Sequence, residues 1–324
     1  MPRRILVTGG SGFIGTNLVE RYRTGGDVIV NLDPARPRHP EHEQLWQPVD
    51  VLDAEALAAA LADFRPTHLL HFGARTDLNG SRLIDYDPNV RGVANVIEAV
   101  RSMPSLERVI FASSRMVCRI DHPPAAADEY SPPNAYGESK MVGELLVRAA
   151  RVGRPWTIVR PTSIWGPWFD VPYKTFFLSV ARGRYVIVRD RTVDKSFGFV
   201  GNFVHQIERI LSAPAEDVAG RTLYLGDYPP VNVGEMAERI REAVGGPPIR
   251  TVPMAALRPA AKAGDLAKRL GWREPPLSTF RLDNLVTPMV FDLSPVAAIA
   301  GTLPYSMEEG VRITVEWLRA RGQV

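Results

Sequence analysis

Tyr136 and Lys140 are four positions apart at the start of a segment that predicts a helix running to about Val152. Side chains at this spacing lie on one face of a helix, so the lysine ammonium can lie near the phenol or share a ligand with it. A tyrosine, whose ordinary pKa is about 10, acts as a base near neutral pH only if positive charge stabilises its anion. The pair therefore predicts removal of a proton from a substrate hydroxyl. The alternative is an exposed helical pair with no chemical role.

Ser113 and Ser114 directly follow the apolar run Arg108 to Ala112, which predicts a buried strand. In a parallel sheet, ligands bind beyond the carboxyl ends of the strands. The Ser114 hydroxyl could there polarise the same oxygen that Tyr136 deprotonates. The alternative is that Ser114 only makes a local hydrogen bond at the strand end.

The first residues predict a strand, a tight turn and a helix, because an apolar run is followed by spaced glycines. The glycines fit two frames of a phosphate-binding fingerprint, one with Gly9, Gly12 and Gly15 and one with Gly10, Gly12 and Gly15. Glycine allows the backbone to approach a pyrophosphate, and the amino terminus of the helix favours an anion. The alternative is a glycine-rich turn that holds no ligand.

A second strand, Asp27 to Leu32, ends in Asp33, where an acidic residue can bind the adenosine ribose of a dinucleotide. Arg36 and Arg38, in the proline-rich loop that follows, could instead reach a 2′-phosphate. Asp33 would repel that phosphate. The sequence therefore favours NAD over NADP, with the two arginines as solvated loop charges.

Strands alternate with helices through the first half of the chain, which predicts an α/β fold with a doubly wound parallel sheet. We predict a dinucleotide-binding domain over residues 1–168 and a smaller mixed α/β substrate-binding lobe over 169–324, some segments of which return to the first domain. In the second half we expect these elements: helices Tyr173 to Arg182, Asn202 to Leu211, Val233 to Val244 and Gly310 to Arg321, and strands Tyr185 to Val188, Thr222 to Leu225 and Ile249 to Val252.

The composition is that of an ordinary globular protein and argues against several functional classes. The chain has 324 residues, a formal net charge of +3 and one cysteine, Cys118. This small net charge does not indicate nucleic-acid binding. A single cysteine rules out an internal disulfide and a Cys-based metal site, so no metal is predicted. The sequence contains neither a signal peptide pattern nor an apolar run of membrane-spanning length, so we expect a cytoplasmic protein without a membrane partner.

These motifs, taken in order, resemble those of the extended short-chain dehydrogenase/reductase superfamily, and more narrowly its NAD-dependent nucleotide-sugar epimerase/dehydratase family. The resemblance implies a Rossmann domain followed by a substrate-binding lobe. It extends over nearly the whole chain, because Arg160-Pro161, Phe199-Val200-Gly201-Asn202 and Leu225-Gly226-Asp227 also match segments of that family.

The resemblance also implies roles for individual residues. Ser114, Tyr136 and Lys140 would be catalytic, with Lys140 also bonded to the nicotinamide ribose. The implied NAD-binding residues are Gly9, Gly12, Phe13, Ile14, Gly15, Asp33, Asp50, Val51, Phe72, Gly73, Ala74, Tyr136, Lys140 and Pro161. The implied substrate-binding residues are Ser114, Ser163, Lys195 and Arg281, of which Lys195 stands where the family often has an arginine that holds a diphosphate.

The residues after Ser114 depart from the family pattern and bear on the reaction. Dehydratases of this family carry an acidic residue just after the catalytic hydroxyl, whereas this chain has Arg115 and Met116. We therefore expect an epimerase of a nucleotide-activated sugar, which oxidises one carbon and returns the hydride to the opposite face. The alternatives are a reductase or dehydrogenase of a nucleotide-linked keto sugar, and a redox-inert NAD-binding sensor. The family also implies a homodimer formed through the helices that start near Asp87 and Gly137.

Overall fold

The computed structural model describes residues 2–120, 124–189, 191–272 and 277–324, and for Phe280 and Arg281 it describes the backbone alone. The strands are β1 Arg4–Thr8, β2 Val28–Leu32, β3 Trp46–Gln47, β4 His68–His71, β5 Arg108–Ala112, β6 Trp156–Pro161, β7 Ser163–Trp165, β8 Val186–Val188, β9 Asp194–Lys195, β10 Phe197–Phe199, β11 Thr222–Leu225, β12 Val231–Asn232 and β13 Arg250–Val252. The α-helices are α1 Phe13–Thr24, α2 Ala54–Phe64, α3 Asp87–Arg101, α4 Ala135–Ala149, α5 Tyr173–Ala181, α6 Val200–Ser212, α7 Ala215–Val218, α8 Val233–Val244, α9 Met254–Arg269, α10 Thr279–Val286, α11 Ser294–Ala300 and α12 Met307–Arg319.

The central sheet has seven strands in the order β11-β6-β5-β4-β1-β2-β3, and every neighbouring pair is parallel. Because the strands are parallel, their carboxyl ends meet at one edge of the sheet. The order reverses beside β1, which creates the crevice where doubly wound sheets bind ligands. This sheet confirms the predicted α/β, Rossmann-like fold class.

Helices cover both faces of the sheet, and alternate residues of β1 point to opposite faces. Ile5 and Val7 pack in a core with α1 and α6, whereas Leu6 packs in a second core with α2, α3 and α4. With both faces buried, the strands consist of nearly continuous apolar runs.

A side-chain cap fixes the start of α4, the helix that carries Tyr136 and Lys140. The Asn134 side chain accepts a hydrogen bond from the Gly137 backbone N–H at 2.9 Å, which satisfies one of the free donors at the helix start. Because α4 begins at Ala135, Tyr136 lies in its first turn and Lys140 one turn later.

The second half of the chain contributes both to the main sheet and to smaller units. Strand β11 lies at the edge of the central sheet, parallel to β6, although it follows residue 168 in sequence. Strands β8 and β13 form a separate parallel pair, and α9 and α10 pack there in a small core that contains Leu257 and Leu282. Among the described residues, no helix is both long and apolar enough to cross a lipid bilayer.

Candidate active site

A cleft of about 550 Å³ lies at the carboxyl edge of the central sheet. Its lining includes all the residues that the sequence analysis expected to contact NAD, together with Ser114. The fold thus brings together segments that are up to about 150 positions apart in the chain, from the glycine turn to Pro161.

The glycine turn after β1 is packed against backbone with no room for side chains. Gly9 has φ +74°, and a Cβ there would lie 2.5 Å from the backbone nitrogen of Gly73. A Cβ on Gly15 would collide with the Gly9 carbonyl oxygen. These contacts keep the amino terminus of α1 open to the cleft, where its unpaired N–H groups favour an anion.

Asp33 is buried beside this turn, where its carboxylate also shapes the loops. It accepts hydrogen bonds from the backbone N–H groups of Ser11 at 3.0 Å and Ala35 at 2.9 Å. Burial raises the pKa of Asp33, and these two hydrogen bonds oppose the rise. The carboxylate lines the cleft where an adenosine ribose would lie.

The two arginines that could have served a 2′-phosphate are engaged elsewhere. The Arg36 side chain is 78% exposed and lies 3.6 Å from Glu43. Arg38 lines the cleft, but it donates to the Ser11 carbonyl at 3.1 Å and to Asp170 at 2.7 Å. Neither guanidinium is positioned to bind a 2′-phosphate, which agrees with NAD as the cofactor.

Tyr136 and Ser114 meet at the other end of the cleft. Both side chains line the cleft, and the Ser114 oxygen accepts a hydrogen bond from the Met116 N–H at 3.1 Å. Burial raises the pKa of Tyr136, whereas the nearby Ser114 hydroxyl and the charge of Arg115 lower it. A buried phenol needs additional positive charge before it becomes a base near neutral pH.

Lys140 can supply that charge, although its amine is bound to the backbone here. Its Nζ donates to the Ala112 carbonyl oxygen at 3.0 Å, at the end of β5. Burial lowers the pKa of Lys140 to about 8, and the nearby Glu144 carboxylate opposes the shift. The amine is therefore mostly protonated at neutral pH. It lines the same cleft as Tyr136, one helical turn away.

A buried ion pair lies one helical turn beyond Lys140 on α4. Glu144, one turn after Lys140, is bound by both Nε and Nη2 of Arg160, each at 2.7 Å, and both side chains are almost fully buried. Glu144 also accepts a hydrogen bond from Ser113 at 2.5 Å and one from Tyr130 at 2.9 Å. The pair thus fixes α4 against the strand ends that carry Ser113 and Arg160.

His71, at the end of β4, is a structural histidine rather than a base. Its Nδ1 is hydrogen-bonded to the Thr8 hydroxyl at 2.8 Å, and burial with the nearby Lys140 charge lowers its pKa to about 3. The imidazole is therefore neutral throughout the physiological range.

Ser163 and Lys195, two further predicted substrate residues, are not among the described residues that line the cleft. Ser163 is 1% exposed, and its strand β7 pairs with β10. The Lys195 amine donates to the Asn284 carbonyl oxygen of α10, and burial with the charge of Arg115 lowers its pKa to about 8. The side chain of Arg281 lies outside the described residues. These three assignments remain predictions.

The sequence analysis did not find several residues that line the cleft or support the elements around it. Asn89 of α3 bonds the backbone N–H and carbonyl of Arg75, which holds the loop after β4 along the cleft. Phe169 and Tyr173 line the cleft from the segment after β7. The sequence offered a signal only for Glu144, whose four-residue spacing from Lys140 predicts a shared helical face.

The comparisons with known proteins agree with this geometry. A family model described as the NAD dependent epimerase/dehydratase family matches residues 5–226. The chain belongs to this family. It is accordingly an enzyme of the NAD-dependent family, and the cofactor prediction is confirmed.

Individual relatives are more distant and catalyse different reactions. The chain is 29% identical to N-acetyl-alpha-D-glucosaminyl-diphospho-ditrans,octacis-undecaprenol 4-epimerase of Escherichia coli O157:H7, over 98% of this chain and 96% of that protein. It is 28% identical to 3 beta-hydroxysteroid dehydrogenase/Delta 5-->4-isomerase of Mycobacterium tuberculosis, over 90% of this chain and 83% of that protein. The fold matches UDP-glucose 4-epimerase of Thermotoga maritima, solved with UDP-glucose, with a TM-score of 0.74 and 20% identity over 98% and 99% of the two chains.

Proposed function

We propose that the protein is an epimerase of a sugar carried on a diphosphate, with nucleotide sugars as the expected class. The observation that carries this proposal is that Ser114, Tyr136 and Lys140 line one cleft together with the glycine turn. Elimination needs an acidic residue just after the catalytic hydroxyl, whereas epimerisation does not. Arg115 and Met116, which follow the serine, are not acidic.

In this proposal, each site residue has a separate role. When bound, NAD would supply the hydride acceptor and donor for the sugar carbon. Tyr136 takes the proton of the sugar hydroxyl on its phenolic oxygen, and Ser114 hydrogen-bonds the same sugar oxygen. Lys140 stabilises the phenolate by its charge and binds the nicotinamide ribose. The glycine turn holds the pyrophosphate, and Asp33 accepts hydrogen bonds from the adenosine ribose.

A diphosphate-linked substrate is favoured by the relatives and by local charge. The Escherichia coli relative acts on a diphospho-undecaprenol sugar, and the Thermotoga maritima neighbour was solved with UDP-glucose. In this chain, the charge of Arg115, the residue after the catalytic serine, lowers the pKa of Lys195, so the two cations interact. Lys195 would meet a phosphate as a point charge, without the two-pronged geometry of an arginine.

A dehydrogenase or reductase is the second candidate, because the 28%-identical Mycobacterium tuberculosis relative is a hydroxysteroid dehydrogenase. It would release its cofactor in each turnover, whereas an epimerase regenerates it. We further propose a homodimer and a cytoplasmic location, and we retain residues 1–168 and 169–324 as the cofactor and substrate domains.

A panel of nucleoside diphosphate sugars, incubated with catalytic amounts of the protein and no added reductant, tests the proposal. Proton NMR should show one sugar converting to a mixture of two epimers. If no sugar gave an epimer, and one of them instead reduced added NAD in stoichiometric amount, the dehydrogenase would be favoured. The same panel with Tyr136→Phe distinguishes catalysis at this site from a contaminating activity.

A further inference from the structure

Helix α9 has an apolar face that is exposed to solvent. Its opposite face is buried, with Leu257 8% and Ala261 1% exposed in the small core with α10. Leu266 is 57% exposed and Leu270 79%, and Trp272, just after the helix, is 58% exposed. In the helical register these residues continue a stripe of exposed small apolar residues: Ala255, Ala256, Pro259 and Ala263.

Basic residues flank this stripe. Arg258, Lys262 and Arg269 follow one edge of it at helical spacing, and Lys268 lies in the last turn. The single acidic residue of α9, Asp265, bonds the backbone N–H and hydroxyl of Thr279 at the start of α10. Residues 254–272 therefore carry a net charge of +3, equal to that of the entire 324-residue chain.

The helix lies on the side of the molecule that carries the proposed substrate groups. It packs on α10, and the backbone carbonyl of Asn284 in α10 holds the amine of Lys195. The charge of Arg115, next to the catalytic Ser114, acts on that same amine. A surface bound to α9 would thus lie on the substrate side of the cleft.

We propose that the exposed face of α9, together with Trp272, docks on a membrane that contains anionic phospholipids. A helix with leucine and tryptophan on one face and lysine and arginine beside them lies in the plane of the membrane interface. The apolar side chains enter the acyl boundary, the tryptophan occupies the headgroup level, and the basic residues meet lipid phosphates. This peripheral contact requires no membrane-spanning helix.

Charge favours an anionic membrane over a second copy of the chain as the partner of α9. An antiparallel two-fold contact through α9 would place the same basic edge of each copy near that of its partner. Such like charges repel, whereas an anionic lipid surface attracts every one of them. The proposal goes beyond the proposed function and does not depend on it, although an enzyme acting on a lipid-linked sugar would benefit from this surface.

Co-sedimentation of the whole chain with vesicles tests the proposal, with no sugar present. The protein should bind vesicles of phosphatidylglycerol and phosphatidylcholine, bind those of phosphatidylcholine alone at least about tenfold more weakly, and release as salt is raised. Equal binding to both vesicle types, or binding to neither, would overturn the proposal.

Two sets of variants test whether vesicle binding requires this surface, rather than the overall charge of the protein or nonspecific hydrophobic contact. The triple change Leu266→Gln, Leu270→Gln and Trp272→Gln, and the triple change Arg258→Gln, Lys262→Gln and Arg269→Gln, should each weaken binding by about tenfold or more. The matched control Arg151→Gln, Arg182→Gln and Arg209→Gln removes the same charge from exposed positions outside α9 and should bind like the wild type.

All these positions are exposed, so circular dichroism should be unchanged. Equal loss in the control, or no loss in the α9 variants, would contradict docking through α9. If the α9 variants altered only the mass measured by light scattering, the face would be a contact between copies and the proposal would fail. All these variants should convert the sugars of the panel like the wild type. A failure of the epimerase proposal would therefore be distinguishable from a failure of membrane docking.

Discussion

The hydroxyl of Tyr136 is the atom on which the proposed chemistry depends, because it alone is placed to take the sugar proton beside Ser114 among the described side chains. Tyr136→Phe removes this oxygen and leaves the ring packed against Tyr86, with centroids 5.9 Å apart in the wild type. We expect turnover to fall by about 10²–10⁴-fold, with NAD affinity little changed. Steady-state rates and calorimetric NAD titration measure the two effects.

Tyr22→Phe is the matched control for that variant. Tyr22 is 1% exposed, and within the described structure its hydroxyl has no hydrogen-bond partner. Its removal should leave the rate unchanged and cost no stability. A normal rate in Tyr136→Phe would reject Tyr136 as the base.

The charge of Lys140 gives a second prediction at the residue scale. Because burial lowers the pKa of Lys140 to about 8, the ammonium is present below that pH and is lost as the pH rises through it. Affinity for NAD should therefore weaken as the pH rises through about 8, where an ordinary lysine would still be charged. Calorimetric titration on both sides of that pH measures the effect, and Lys140→Met should abolish this pH dependence. An identical dependence in Lys140→Met would show that another group titrates.

The buried Glu144–Arg160 pair gives a third prediction. Glu144→Gln leaves Arg160 charged and buried without its carboxylate, so unfolding should become easier by about 3–5 kcal/mol. Chemical denaturation measures this loss. Glu316→Gln, which breaks the exposed pair with Arg312, should cost less than about 1 kcal/mol. Similar losses in the two variants would mean that Glu144 is not needed to compensate Arg160.

At this scale the sequence predicted the residues whose chemistry depends on local spacing. Tyr136, Lys140 and Ser114 were found because helical periodicity and a strand end determine where they point. Ser163 and Lys195 were proposed from their positions in a family pattern, which does not report burial. The amine of Lys195 is bound to a carbonyl of α10, a contact that depends on packing between distant segments.

Elements with a clear hydrophobic period were also predictable. Helix Val233–Val244 and strand Thr222–Leu225 have the predicted bounds. Helix α9 was not predicted, because Pro259 lies inside it and its apolar residues occupy an exposed as well as a buried face. A periodic pattern shows which residues share a face, but not whether that face meets the core, solvent or another surface.

The helices expected to form a dimer give a prediction at the element scale. Val96 and Ile97 of α3 are buried within the chain itself, so they are not available to a partner. Leu145 of α4 is 45% exposed and remains available. If α4 forms the dimer contact, Leu145→Arg should yield a monomer by light scattering at micromolar concentration, whereas Leu266→Arg on α9 should not change the mass. A wild-type monomer would contradict the dimer.

At the scale of the whole molecule, distant segments of the second half of the chain are joined by polar contacts. Asp227, after β11, accepts hydrogen bonds from the Phe199 N–H and the Asn202 side chain, each at 2.9 Å. Asn202 also bonds the Tyr305 backbone. The sequence showed that these segments match a family pattern, but not that they contact one another, because their partners are up to 103 positions apart.

Under the epimerase proposal, one NAD would stay bound and serve both halves of each turnover. The most direct test uses the sugar that the panel identifies, with deuterium on the carbon that inverts, in the presence of excess unlabelled NADH. An epimerase that returns its own hydride should give a product that keeps the deuterium at the inverted carbon, with none appearing in the free NADH. Transfer of the deuterium to the free nucleotide pool would contradict the account and identify a dehydrogenase.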